Sequence, residues 1–307
     1  MSPLPSEPRL AAGILCMLAA MVILPFMDAT AKILGAELPP IQIAWGRQLV
    51  QMLLMLPVVL WLYGRSGLIS RPVGPQTLRG LVMAVANLAF FTAVVYMPIA
   101  DALAIFFVSP LITTAASAIF LKEPVGPRRW VAVVIGLVGA LIIIRPGSGV
   151  FGPAAILPIV TACLFSAYLL LTRSMSVSAP AVQMNYWTAV SGFMIFSLII
   201  GVARAGGIAD LYIAPDARQW AMIAAIGAIS TVGHFLLIQA FIRVPAATLA
   251  PLNYAEIVGA VGIGWWWFND FPDLWSWVGI AVIVASGLFV WMRERVQHAP
   301  SQVSRRS

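Results

Sequence analysis

A glutamate lies within an otherwise apolar stretch, APLNYAEIVGAVGIGWWW, residues 250–267. Glu256 is about eleven residues, or roughly 16 Å, into a segment long enough to cross a bilayer, which is mid-bilayer depth. An ionised side chain there costs at least about 2.5 kcal/mol and usually faces a cavity or a partner. On a regular helix Asn253 shares its face, Tyr254 points elsewhere, and Pro251 frees a backbone carbonyl nearby. Glu256 is therefore either a protonated acid bonded to a neighbouring helix, or a substrate contact or proton carrier.

A second group of charges lies near the start of the chain. Asp28 and Lys32 are four residues apart in an apolar segment, so they share a helix face and can pair. Arg47 begins the next apolar segment, across a short connection. Two interpretations remain open. The three residues form a structural ion cluster that closes one end of the helix pair, or they form a gate or a clamp on a polar ligand group.

The composition identifies an integral membrane protein. Of 307 residues, 61% are hydrophobic and only 9% are charged, whereas soluble domains carry about 25% charged residues. The net charge of +7 does not indicate nucleic-acid binding, because the charges lie in short connections and termini, where Lys and Arg set topology. Cys16 and Cys163 lie in apolar runs without metal-ligand spacing. We expect the lipid bilayer as a partner, and no metal, cofactor or nucleic acid.

Ten apolar runs have the length of membrane-spanning helices, which predicts an all-α fold. They lie near residues 10–34, 41–63, 78–97, 101–121, 129–146, 152–173, 181–203, 218–240, 245–268 and 274–292. The first run is too long for a signal peptide and is expected to be retained. With ten crossings, both chain ends lie on one side of the membrane.

The distribution of basic residues predicts the orientation. Thirteen Lys and Arg residues lie on the side of the chain ends and four on the opposite side, which places both termini in the cytoplasm. A bacterial inner membrane is the expected location. The polar segment 295–307 is predicted to be a disordered cytoplasmic tail.

The chain contains an internal repeat. ADALA, residues 100–104, matches AATLA, residues 246–250, an offset of 146. This divides the chain into five-helix repeats at 1–148 and 149–294. Because five is odd, the second repeat inserts upside-down, an arrangement common in secondary transporters with a midplane binding site. The alternative is chance similarity between low-complexity apolar helices.

The repeat also predicts which residues meet at the midplane. At the offset of 146, Glu256 aligns with Pro110, so the segment FFVSPL is its counterpart. Phe106, Phe107 and Ser109 are expected to face the same cavity. The predicted substrate-binding residues are Asn87, Phe106, Phe107, Ser109, Asn253, Tyr254 and Glu256. His234 is interpreted as a helix-packing residue rather than a proton relay.

Several segments together resemble the ten-helix EamA-type members of the drug/metabolite transporter superfamily. The resemblance rests on the Ala-x-x-Leu starts of the fourth and ninth runs, on FLKEPVGPRRW, and on its counterpart FNDFPDLWSW. The opening DATAKILGAELPPIQIAWGR resembles a subgroup that includes bacterial riboflavin importers and S-adenosylmethionine carriers. The resemblance implies a secondary transporter of a small organic solute, with riboflavin uptake favoured. Uptake of another metabolite such as S-adenosylmethionine, or export of amino acids or metabolites, is the alternative.

Other classes are less consistent with the sequence. No P-loop is present, so direct use of ATP is not expected. A membrane-embedded enzyme needs converging catalytic groups, and the chain has only two histidines, His234 and His298. We therefore expect no enzymatic activity. A membrane scaffold would have no need for Asn253 and Glu256 at bilayer depth. The expected partner is a small-molecule substrate, and a homodimer remains open.

Overall fold

The structure is a computed structural model that describes residues 7–120, 126–146, 151–175, 180–244 and 249–298. Within these residues the chain forms α-helices and 3-10 turns, and no strand. The apolar runs are helical because a bilayer offers no water to backbone groups, so each helix satisfies its own N–H and C=O groups.

The described residues contain eleven α-helices. Their bounds are α1 Glu7–Leu34, α2 Pro40–Tyr63, α3 Val73–Tyr96, α4 Ile99–Phe106, α5 Ser109–Phe120, α6 Pro127–Ile144, α7 Leu157–Met175, α8 Ala181–Ala205, α9 Ala217–Arg243, α10 Ala255–Phe268 and α11 Leu274–His298. Short 3-10 helices lie at Gly64–Leu68, Gly152–Ile156, Ala209–Leu211 and Ala250–Tyr254. The last α-helix reaches His298, so residues 295–298, assigned above to the tail, are helical. Residues 299–307 lie outside the described residues.

Ten membrane crossings follow from these elements. Nine helical segments within the described residues are long and apolar enough to span a bilayer. The tenth crossing combines the 3-10 turn Ala250–Tyr254 with the 14-residue helix α10.

The fourth and ninth crossings are broken, whereas the sequence predicted continuous helices there. α4 ends at Phe106 and α5 begins at Ser109, while Ala250–Tyr254 of the ninth crossing form a 3-10 turn. Pro110 and Pro251 lie at the two breaks and lack the N–H that a continuous helix requires. Each break exposes backbone near the middle of the bundle, which is tolerated only next to protein or a cavity.

Helix packing shows that the two halves are related by an approximate two-fold axis. α1 packs against α9 of the other half, and α3 packs against α7 in the equivalent way. α2 pairs with α8, α4 with α10, and α6 with α11, each element contacting its own counterpart. Since each half crosses the membrane five times, the second half is inverted relative to the first. The predicted inverted five-helix repeats are confirmed.

Small residues allow the halves to approach closely. On α11, a Cβ at Gly279 would lie 2.7 Å from the carbonyl oxygen of Gly139 on α6. The side chain of Ile223 on α9 fills the space beside Gly46 of α2. Such contacts bring helix backbones together in a bilayer, where the hydrophobic effect does not drive helix association.

Arg79 joins α3 to two helices of the second half. It is 1% exposed, and its guanidinium donates to the Tyr168 hydroxyl at 2.9 Å and to Thr188 Oγ1 at 2.8 Å. It also donates to the Met184 carbonyl and to Gln76 Oε1. These acceptors satisfy the buried charge and fix the α3–α7–α8 contact.

Candidate functional site

A cavity of about 640 Å³ lies between the two repeats. Its volume is within the range of small-molecule sites, about 300–1,000 Å³. The walls come from α1, α2, α3, α4 and α5 of the first repeat, and from α7, α9, α10 and α11 of the second. Both broken crossings contribute, because Phe107, Ser109, Pro251 and Asn253 line the cavity.

The cavity brings together nearly all of the predicted site residues. The seven predicted substrate-binding residues line it: Asn87, Phe106, Phe107, Ser109, Asn253, Tyr254 and Glu256. Asp28 and Arg47 line it as well, whereas Lys32 does not. That these side chains bind a substrate remains a prediction.

Tyr254 faces the cavity, although a regular helix would have turned it away from Asn253 and Glu256. The 3-10 turn changes the angle between successive side chains, so all three reach one wall. The Tyr254 ring centroid lies 5.3 Å from that of Phe107. Its hydroxyl occupies the space beside Gly287 of α11, where a Cβ would overlap it.

One side of the cavity is an aromatic wall made of Phe90, Phe106, Phe107, Phe165 and Tyr254. Phe106 is central, with ring centroids 5.8 Å from Phe90, 5.7 Å from Phe107 and 5.3 Å from Phe165. Edge-to-face and offset arrangements of this kind also suit stacking on a flat ligand ring.

Phe165 was not among the predicted residues. An aromatic residue in an apolar helix has the same sequence signal whether it faces lipid or the interior. The packing of α7 against α3 and α5 decides the face that Phe165 presents.

The cavity also has a polar cluster, made of Asp28, Arg47, His234 and Glu256. Arg47 is 2% exposed and lies two turns into α2, rather than at the start of the segment as the sequence analysis placed it. Asp28 is within electrostatic range of both Arg47 and Glu256. Among the described residues, Asp28 Oδ1 and Arg47 Nε are buried without a hydrogen-bond partner. These atoms are candidates for hydrogen bonds to a bound solute.

His234 joins the polar cluster through Ser230 on α9. Arg47 Nη1 donates to Ser230 Oγ at 2.5 Å, and His234 Nδ1 lies 2.7 Å from the Ser230 carbonyl oxygen. The sequence interpretation of His234 as a packing residue missed its position on the cavity wall.

Lys32 does not pair with Asp28, contrary to the sequence-based expectation. Its Nζ contacts Asp270 Oδ2 at 2.7 Å and donates to the Met97 carbonyl at 3.1 Å. The long side chain extends to the end of α1, away from Asp28. Asn269, in the left-handed conformation with φ 56°, ends α10 and brings Asp270 back toward Lys32.

Two more ion pairs lie at the same end of the bundle, and each also joins the two repeats. Arg145 Nη1 contacts Asp273 Oδ2 at 2.6 Å, and Arg218 Nη1 contacts Glu37 Oε1 at 2.9 Å. Hydrogen bonds from Gln219 and Arg218 hold the pKa of the Glu37 carboxyl below its usual value. We call this end the ion-pair face and the opposite end, where α1 begins and α11 ends, the terminal face.

The cavity extends from mid-bundle toward the terminal face. Leu169, Leu237 and Trp291 line it, and each lies in the half of its helix nearer to that face. None of the six residues of the three ion pairs described above lines the cavity. The arrangement fits one state of an alternating-access cycle, with the ion-pair face closed.

Comparison with known proteins adds to this geometry. The sequence profile described as the EamA-like transporter family matches residues 11–145 and 152–292. A protein of Rickettsia bellii named S-adenosylmethionine uptake transporter is 27% identical, over 87% of this chain and 89% of its own. A protein of Rhizobium johnstonii named riboflavin transporter is 30% identical, over 67% and 66%. A crystal structure covers 93% of this chain and 99% of its own, with a TM-score of 0.65 and 16% identity, which shows the fold alone.

The ion-pair face yields the first prediction. Lys32→Gln removes a cross-repeat ion pair worth up to about 1 kcal/mol, so the population opened at this face should rise roughly two- to fivefold. The measurement is labelling of an Asn253→Cys reporter, in a background lacking native cysteines, by an impermeant maleimide added at the ion-pair face. Arg204→Gln is the matched control, because Arg204 contacts Tyr212 within its own repeat. Equal labelling of Lys32→Gln and the parent would show that this pair does not hold the face closed.

The contact between Tyr254 and Gly287 yields the second prediction. Gly287→Ala should lower the thermal unfolding temperature in detergent by several degrees, since overpacking typically costs about 1–3 kcal/mol. Gly262→Ala is the control, because nothing lies within 4 Å of a Cβ there. In a Tyr254→Ala background the Gly287→Ala effect should largely disappear. An undiminished effect in that background would contradict the assigned contact.

Proposed function

Since the chain belongs to the EamA-like transporter family, we propose that it is a secondary carrier that takes up riboflavin by alternating access. The chain is a multi-pass membrane transporter and not an enzyme. The substrate, the direction of transport and the coupling are the parts that are proposed.

One observation carries the proposal: a single cavity presents an aromatic wall on one side and a polar cluster on another. Riboflavin has a flat three-ring system and a hydroxylated chain. The flat ring can stack on Phe106 and its neighbours, which adds about 0.5–1.5 kcal/mol per aromatic pair beyond area burial. The hydroxyl groups can bond Asn87, Asn253 and the polar cluster. The relative from Rhizobium johnstonii, named riboflavin transporter, supports the same substrate.

S-adenosylmethionine is the second candidate, because of the charges in the polar cluster. Asp28 and Glu256 supply two carboxyl groups against the single guanidinium of Arg47. S-adenosylmethionine carries a sulfonium, an ammonium and a carboxylate besides its adenine ring, so it offers complementary charges and a flat ring. A sulfonium beside aromatic rings also gains cation–π attraction. The relative from Rickettsia bellii bears the name of such a carrier.

The proposed mechanism uses the inverted repeats. The two five-helix halves rock about the cavity, closing one face as the other opens. We place the protein in the bacterial inner membrane with both termini in the cytoplasm, which makes the ion-pair face periplasmic. The cavity would then reach toward the cytoplasm in this state, and breaking of the cross-repeat ion pairs would admit the next solute molecule.

We assign Glu256 the role of proton carrier, because it lies in α10 of one repeat and faces Asp28 of the other across the cavity. A proton on this carboxyl pair leaves one negative charge opposite Arg47. In this scheme the proton and the solute bind from the periplasmic side, and both are released to the cytoplasm.

The third prediction concerns Glu256. Wild-type uptake driven by a proton gradient should rise as the external pH falls, because protonation loads the carrier. Glu256→Gln, which is permanently neutral, should lose most of this pH dependence and its stimulation by the gradient. Initial uptake rates in proteoliposomes between about pH 5.5 and 8 provide the measurement, with a protonophore as control. An unchanged pH profile for Glu256→Gln would remove Glu256 from the coupling mechanism.

The fourth prediction concerns the substrate. Expression should let a riboflavin-auxotrophic host grow on trace riboflavin, and Phe106→Ala should raise the KM for riboflavin about tenfold through lost stacking. Phe120→Ala is the matched control, because Phe120 is 76% exposed on the outside of the bundle.

The same vesicles are tested with labelled S-adenosylmethionine. Uptake of S-adenosylmethionine without riboflavin would replace the first candidate with the second. Uptake of neither, despite normal expression, would contradict both substrates.

A further inference from the structure

His234 is held in one ring orientation by its own helix. Its Nδ1 lies 2.7 Å from the carbonyl oxygen of Ser230, one turn earlier on α9. A carbonyl oxygen only accepts hydrogen bonds, so Nδ1 carries the hydrogen. In the neutral ring that makes this bond, Nε2 therefore has a free lone pair and acts as an acceptor.

The ring of His234 borders the cavity. His234 belongs to the cavity lining, and its Nδ1 edge is turned toward the backbone of α9. Nε2, on the opposite side of the ring, is thus directed away from that backbone. Ser230 is itself fixed, because it is 0% exposed and its Oγ accepts from Arg47 of the first repeat at 2.5 Å. The ring orientation is therefore supported from both repeats.

The surroundings give this acceptor a distinct role. Arg47 on α2 is within electrostatic range of His234, and Asp28 on α1 and Glu256 on α10 line the same cavity. The carboxyl groups suit cationic or hydroxyl donors, and Arg47 suits acceptors. The imidazole is an uncharged acceptor that suits a neutral N–H at the edge of a flat ring.

We propose that Nε2 of His234 accepts a hydrogen bond from an N–H group on the heteroaromatic ring of the transported solute, and so sets specificity for rings that carry this donor. The inference rests on the proposed function for its substrate class. In riboflavin the donor is the imide N3–H, and in S-adenosylmethionine it is the exocyclic amine of adenine. A site that hydrogen-bonds a substrate donor rejects analogues lacking it, because the acceptor is then left unpaired.

The test compares riboflavin with N3-methylriboflavin as competitors of labelled riboflavin uptake. The wild-type carrier should prefer riboflavin by about three- to tenfold, the effect of one neutral hydrogen bond. His234→Leu should raise the inhibition constant of riboflavin about three- to tenfold, because one neutral hydrogen bond is lost. The inhibition constant of the methylated analogue should stay nearly unchanged. The ratio of the two inhibition constants should then approach one. His234→Gln, whose amide can place an oxygen near the Nε2 position, should keep most of the preference and controls for a general packing defect.

The outcomes test the role of His234 separately from the identity of the substrate. A wild-type ratio near one, or a His234→Leu ratio equal to that of the wild type, overturns the assignment. If the wild type takes up no flavin, the riboflavin proposal fails, and the same ratio is measured with S-adenosylmethionine and its analogue dimethylated at the exocyclic amine. A preference there that His234→Leu abolishes supports the assignment, and a preference that persists overturns it.

Discussion

The structure depends on one constraint: a bilayer solvates neither an unpaired backbone group nor an isolated charge. Irregular backbone and ionisable side chains must therefore gather where the protein itself surrounds them. In this chain the breaks of the fourth and ninth crossings, near Pro110 and Pro251, both line one cavity. Asp28, Arg47 and Glu256 reach the same cavity from three different helices. The cavity therefore lies where the protein surrounds both the irregular backbone and the charged side chains.

The two inverted repeats contribute different kinds of residue to the cavity. The first repeat contributes Arg47 and Phe106, while the second contributes the 3-10 turn with Tyr254 and the helix with His234. Contacts between the repeats hold the polar side chains in place, as in the hydrogen bond from Arg47 to Ser230. A cavity wall made from both halves changes shape when the halves move. In the proposed cycle, solute binding and the motion of the two halves would be linked through the same side chains.

Part of this arrangement could be predicted from residue types alone. Charged residues are so rare in apolar segments that Asp28, Arg47 and Glu256 were identifiable as interior residues. The repeat then placed Phe106 opposite Glu256, without any knowledge of helix packing.

Other features depend on three-dimensional detail that sequence patterns do not contain. The partner of Lys32 is Asp270, 238 residues away, and the choice follows from the left-handed turn at Asn269. Tyr254 faces the cavity because a 3-10 turn replaces the helix there. Phe165 and His234 lie on helices whose rotation is set by neighbours, since apolar surface surrounds those helices on every side.

The three ion pairs described at the ion-pair face differ in how far their side chains are exposed to water. Arg218, Glu37 and Asp273 have exposed side-chain fractions of 57%, 39% and 48%, whereas Lys32 is 16% exposed. Dissolved salt screens exposed charges far more than sheltered ones. In the proposed alternating-access cycle, the balance between the two states would thus shift with the ionic strength of the surrounding medium. At high salinity the pair made by the sheltered Lys32 amine would keep most of its electrostatic stabilisation, while the more exposed pairs would lose theirs. Opening of the ion-pair face would then cost less free energy.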